Sequence, residues 1–176
     1  MIHPVRDLLL EQMDEVWRTL RQRLEGLTDH EYFWEPVRDC WTVHWDDAGR
    51  WVTDYADPAP DPPPFATIAW RLSHLVACKI MYYEYAFGLG RLTWDNLPTP
   101  TSAGEAIAAL EAGHARLRQT LSTLNDSELA TTRATNWGEQ WPTWRLFWTL
   151  IFHDAHHGAE IACLRDLYQT TYDATE

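Results

Sequence analysis

The sequence predicts an all-α fold: an up-and-down four-helix bundle with a β-hairpin and proline-rich insertion at about residues 37–64, between the first two helices. Four segments near or above twenty residues long carry apolar side chains at spacings of three and four. Start and stop residues sit at the ends of those segments. No parallel-sheet pattern competes with this reading, and one domain, residues 1–176, accommodates the whole chain. A domain of this length buries roughly 70% of the surface of its unfolded chain, so neither disulfides nor a metal are required merely to fold it.

The first helix is expected over residues 4–27. Pro4 suits an early helical position, Val5, Leu8, Leu9, Met13, Val16, Leu20 and Leu24 form one stripe, and Gly26 marks the end. Thr28 or Asp29 then caps one further helical turn. The second helix is expected over residues 65–87, with Thr67 as N-cap and Gly88 and Gly90 as stops. The third spans residues 102–124, where Ser102 and Glu105 have capping-box spacing and Ile107, Leu110, His114, Leu117 and Leu121 form the buried stripe. The fourth runs over residues 141–168 with Pro142 in its first turn.

Between the first two helices the period changes. Residues 41–45 (Trp-Thr-Val-His-Trp) and 51–55 (Trp-Val-Thr-Asp-Tyr) alternate, and Asp46-Asp47-Ala48-Gly49-Arg50 turns between them, which predicts a β-hairpin. The prolines at 58, 60 and 62–64 then rule out helix and central strand, leaving an extended connector.

Composition removes several function classes. The formal charge is −12 and no basic stripe is present, so neither nucleic acid nor an anionic membrane surface is an expected partner. The longest uncharged apolar stretch, residues 146–152, is too short to span a bilayer, and residues 1–7 carry no signal-peptide pattern. Cys40, Cys78 and Cys163 are odd in number and widely spaced, as expected of reduced thiols in a cytoplasmic protein. Eleven tryptophans are more than a core needs, so some are expected at a pocket or an interface.

The histidines carry the chemistry. His153 and His157 are four apart in the fourth helix, which stacks their rings one turn apart on one face. Eight histidines make one such pair unsurprising by itself. However, Leu146, Leu150, His153, His157, Ile161, Leu164 and Tyr168 share a stripe, so both rings point into the bundle. Two buried imidazoles need partners, either a metal or nearby carboxylates. His74, midway along the second helix, is either a satisfied core histidine or a third metal ligand from a facing helix. Glu160, three residues after His157, is a candidate fourth ligand, an acceptor behind a ligand, or a general base. Cys78, one turn after His74, is either a soft ligand or a small buried thiol. Asp154 reads as a surface residue, His156 as partly exposed and His114 as core.

Two segments, Ala69-Trp70-Arg71-Leu72-Ser73-His74-Leu75 and His153-Asp154-Ala155-His156-His157-Gly158-Ala159-Glu160-Ile161, together with the following Leu164-Arg165-Asp166-Leu167-Tyr168, resemble the DinB-like (DinB/YfiT-type) superfamily of metalloenzymes. In that family one histidine on the second helix and a His-x-x-x-His pair on the last bind a metal. The resemblance implies that His74, His153 and His157 hold a divalent ion, zinc first and nickel second. It implies a metal-dependent thiol S-transferase or isomerase that joins a low-molecular-weight thiol, mycothiol or bacillithiol, to a small electrophilic molecule. It also implies a homodimer. The aromatic hairpin and proline run depart from a minimal family member and leave the substrate open.

Three neutral imidazoles leave an ion with an open position, the arrangement of catalytic rather than structural sites. Trp70 and Trp144, with Trp41 or Trp45, are expected to line the mouth and bind the organic substrate. The alternatives are metal-assisted hydrolysis with Glu160 as catalytic base, and a non-enzymatic metal- or ligand-binding stress protein.

Overall fold

The computed structural model describes residues 3–173. Its elements in chain order are α1 (Pro4–Leu24), α2 (Asp29–Tyr32), β1 (Val43–Trp45), β2 (Trp51–Thr53), α3 (Ile68–Phe87), a 3-10 turn (Trp94–Asn96), α4 (Ala103–Thr123), α5 (Asp126–Ala130), β3 (Thr132–Ala134), β4 (Gln140–Pro142) and α6 (Thr143–Asp173). Helices α1, α3, α4 and α6 are the four expected from the sequence. α6 packs against both α1 and α3, and α4 closes the other side of the same pair.

Local chemistry fixes the helix ends. The Thr67 hydroxyl accepts the Trp70 N–H at the start of α3, and the Ser102 hydroxyl accepts the Glu105 N–H at the start of α4. Glu105 does not complete the expected box, because its carboxylate accepts from Thr101 instead. A full capping box forms at α5, where Asn125 and Glu128 exchange bonds. Thr28 caps α2, and that turn is held by Arg165 of α6, whose guanidinium donates to both Glu31 carboxylate oxygens and to the Glu25 carbonyl. Residues 164–168 thus lock the end of α1 onto the last helix.

The insertion hairpin forms with shorter strands than the alternation suggests. Val43 pairs with Thr53, His44 with Val52 and Trp45 with Trp51. Gly49 supplies the left-handed turn position at φ +73°. Val43 enters the core, the Thr53 and Ser73 hydroxyls bond at 2.8 Å, and Trp41 bridges to Ala66 just before α3. The hairpin is therefore tied to the first turns of α3.

Two further details differ from expectation. Pro142 ends β4 rather than opening the last helix. The Thr143 N–H donates to the Thr131 carbonyl, so a second antiparallel hairpin, β3–β4, precedes α6. Asp154 lies in the core rather than at the surface, paired with Lys79 of α3 at 2.6 and 2.8 Å. α6 is covered on two sides, so its buried arc is wider than the single stripe its apolar residues mark.

The apolar core has two parts. One contains Leu20, Leu24, Ile68, Leu72, Ala106, Leu110 and Ile161; the other contains Leu9, Met13, Tyr82, Leu117, Leu121 and Phe147. Along α3, α4 and α6 a polar layer of Lys79, His114 and Asp154 falls between them. His114 stacks on Trp17 with ring centroids 4.1 Å apart, and burial pulls its pKa from 6.5 down to about 4, with Lys79 and Arg118 adding to that and Asp14 opposing it.

A depressed folded-state pKa means that the unfolded chain binds the proton more tightly. The stability His114 contributes is therefore intact above pH 6.5 and is lost as pH falls through 4. The loss in wild type is expected to reach up to about 3 kcal/mol. Denaturant titrations at pH 7 and pH 4.5 should show His114→Leu losing less stability on acidification than wild type does. Equal losses would remove His114 as the cause.

Candidate metal centre

α3 and α6 face each other with His74 opposite His153 and His157. The ring centroids are 5.0 Å apart for His74–His157, 5.7 Å for His74–His153 and 6.1 Å for His153–His157. An imidazole nitrogen about 2.1 Å from a tetrahedral ion places neighbouring ring centroids about 5 Å apart. By centroid spacing the three rings stand at or slightly outside what one shared ion requires, but the donor atoms that fall within 4.8 Å of one another are those of His74, Cys78 and His153, while those of His157 group with His156 and Glu160. The Nδ1 of His153 is buried without a hydrogen-bond partner among the described residues.

The electrostatics keep the three rings neutral. Burial pulls His74 down to about 3, helped by His157, His153 and Arg71. Burial pulls His153 down to about 4, helped by His157, Lys79 and His156. His157 is also lowered by burial, against the opposing pull of Glu160. At neutral pH each ring therefore keeps a lone pair available for a metal, as an ion-binding imidazole must.

Glu160 and Arg71 orient one of these rings. The His157 Nδ1 meets Glu160 Oε2 at 2.6 Å, and the same carboxylate oxygen accepts from Arg71 Nη1. A carboxylate at Nδ1 fixes the proton there and leaves Nε2 as the donor atom. Arg71 is itself buried and lies over the Phe65 ring. Because Glu160 Oε2 is shared by two donors and Oε1 is 3.6 Å from His156 Nε2, the carboxylate is built into a network rather than poised beside an open space.

Aromatic rings wall the site. Trp70, one turn before His74, stacks on it at 5.1 Å with planes 6° apart, and its indole N–H donates to the Asp54 carbonyl at 2.7 Å. Trp41 of the insertion lies against Trp70 and Tyr55. Trp45 packs on Trp51 instead and is not in this chain of contacts. On the other side Tyr82 lies 6.0 Å from His153, with Trp137 of the β3–β4 turn against it.

Trp144 does not join the site. It is nine residues before His153, two and a half helical turns, which puts it on the opposite face of α6. There it lines a surface groove with Pro4, Val5, Leu8 and Trp148.

The structure thus brings together His74, His153, His157, Glu160 and Trp70, and leaves Trp144 outside. Arg71, Tyr82 and Trp137 belong to the site but were not singled out from the sequence. Arg71 could have been, because it lies three residues before His74 on a helix already read as functional.

A family model described as "DinB superfamily" matches residues 12–161. Among solved structures, a DinB-like protein from Bacillus cereus is 18% identical with a TM-score of 0.63, covering 91% of this chain and 90% of that one. An uncharacterized protein from Clostridium difficile (9% identity, TM-score 0.60, 94% and 98% covered) and a Streptococcus pneumoniae protein (9%, 0.56, 97% and 92%) share the fold. No curated protein matches the chain. No helix among the described residues is long and apolar enough to cross a membrane.

Proposed function

This chain belongs to the DinB superfamily, and on that premise we propose that His74, His153 and His157 hold one divalent metal ion, zinc first and nickel second, in an enzyme that transfers a low-molecular-weight thiol of the mycothiol or bacillithiol kind to a small electrophile or isomerises one through it. The observation that carries the reading is the convergence of three neutral imidazoles from two facing helices, 5.0 to 6.1 Å apart, one of them oriented from behind by Glu160. A divalent ion bound there supplies Lewis acidity and turns a coordinated thiol into the nucleophilic thiolate at neutral pH. The chain's own residues do the rest. Glu160 holds His157 in one tautomer, Arg71 holds Glu160, and Trp70 with Trp41 presents flat apolar surface to an organic substrate and keeps water away.

The competing reading, hydrolysis with Glu160 as base, needs a free carboxylate, and the bonds to Arg71 and His157 argue for a positioning role instead. Glu160→Gln separates the two. The positioning role predicts metal affinity about 10- to 100-fold weaker, read by titration with zinc. The base role predicts unchanged affinity with activity lost. Activity itself is tested by following consumption of a small alkyl or aryl halide with a low-molecular-weight thiol, with and without chelator. Conjugation abolished by chelation supports the transferase reading, whereas conjugation at the full rate in metal-free protein contradicts it. A chain that binds metal but catalyses nothing with any thiol tried would favour a non-enzymatic binding protein.

A further inference from the structure

Cys78 follows His74 by one turn of α3, so the two side chains stand over the same face. Its Sγ lies 3.5 Å from His74 Nε2, and one donor atom each from His74, Cys78 and His153 fall within 4.8 Å of one another. The thiol is buried, so it is shielded from solvent oxidants and alkylating agents. The neighbouring Lys79 points elsewhere, with its ammonium bound by Asp154.

A nitrogen about 2.1 Å and a sulfur about 2.3 Å from one tetrahedral ion are about 3.5 Å apart. The observed separation meets that requirement without any movement of His74 or Cys78. The Nδ1 of His153 is also buried without a hydrogen-bond partner among the described residues.

Resting on the three-histidine reading above, we infer that Cys78 is a further donor to the same ion, so that the centre is a mixed nitrogen–sulfur site which takes a substrate thiol as a fifth ligand or in place of one protein donor. Such a donor set selects a borderline-soft ion such as zinc over hard ions such as magnesium or manganese. It also explains why a cysteine, rather than an apolar residue, fills this point of the core.

The rival account is local: the Cys78 S–H donates to His74 Nε2, occupying the lone pair that a metal would need.

The test uses the full chain loaded with cobalt(II), and separately with zinc. Cobalt-loaded wild type is expected to show a near-ultraviolet sulfur-to-cobalt charge-transfer band. Cys78→Ser should lose that band while keeping the visible bands of bound cobalt, whereas Cys40→Ser and Cys163→Ser should leave it in place. X-ray absorption at the zinc edge of the wild-type protein needs no variant, and should show one sulfur at about 2.3 Å beside the nitrogen shell. An ion bound with a nitrogen and oxygen shell only, and no band, overturns the assignment of Cys78 but leaves the three-histidine centre standing. No ion bound at all overturns both.

Discussion

Asp154→Ala is expected to destabilise the protein by about 3–5 kcal/mol, which at this chain length lowers the melting temperature by roughly 6–20 °C. The Lys79 ammonium is 1% exposed and is bound by both oxygens of a carboxylate that is 4% exposed. Removing the carboxylate leaves a positive charge in the middle of the bundle with nothing to replace the water it has lost. The stem of Lys79 cannot easily swing out, because α4 closes directly over it: a Cβ at Gly113 would lie 3.1 Å from the Lys79 Cβ. The pair as a whole is worth far less than this figure, since burying both ions costs about as much as their attraction returns. Lys79→Met combined with Asp154→Leu should therefore recover most of the loss. Urea denaturation of the single and double variants checks both statements, and a single variant within 1 kcal/mol of wild type would mean that the pair is not desolvated as the structure has it.

The second large effect is on stability in the presence of metal. An ion that binds only the folded chain stabilises it by about 2.7 kcal/mol when free ion stands at a hundred times its Kd. For wild type, added zinc should raise the melting temperature by roughly 5–11 °C. His74→Ala removes the only donor among the three histidines that α3 contributes and leaves a pair on α6, so its melting temperature should hardly respond to zinc. If His74→Ala gained as much as wild type, the ion would be binding elsewhere. The exposed His156 with Glu160 would be the first place to look.

The contrast between these two predictions shows what was legible in the sequence. The histidine cluster was readable because its members obey local rules. His153 and His157 share a stripe with leucines, and His74 sits mid-helix on an apolar face. Three of the helix starts were readable for the same reason, since Thr28, Thr67 and Ser102 act on backbone N–H groups three residues away.

The Lys79–Asp154 pair was not readable, because its two halves lie 75 residues apart. Asp154 also looks like a surface residue on any helix with one covered face, and only the packing of α6 against both α1 and α3 buries it. The β3–β4 hairpin escaped because strands of three residues leave too short an alternation to register. With it went Trp137, whose place beside Tyr82 depends on that turn. Trp144 was expected at the mouth, but two and a half turns of helix before His153 place it on the far side of α6. The role of Glu160 could be narrowed only once Arg71 was found on the same oxygen, a contact across two helices that no spacing within either one reveals.

The measurement that tests the central claim most directly is the metal content of the purified protein beside that of His153→Ala. A single ion shared by His74, His153 and His157 predicts about one zinc or nickel ion per wild-type chain, and almost none in the variant at the same protein concentration. No metal in either protein, even after dialysis against zinc and nickel, would contradict the account and leave His74, His153 and His157 as histidines packed in the core of a helical bundle.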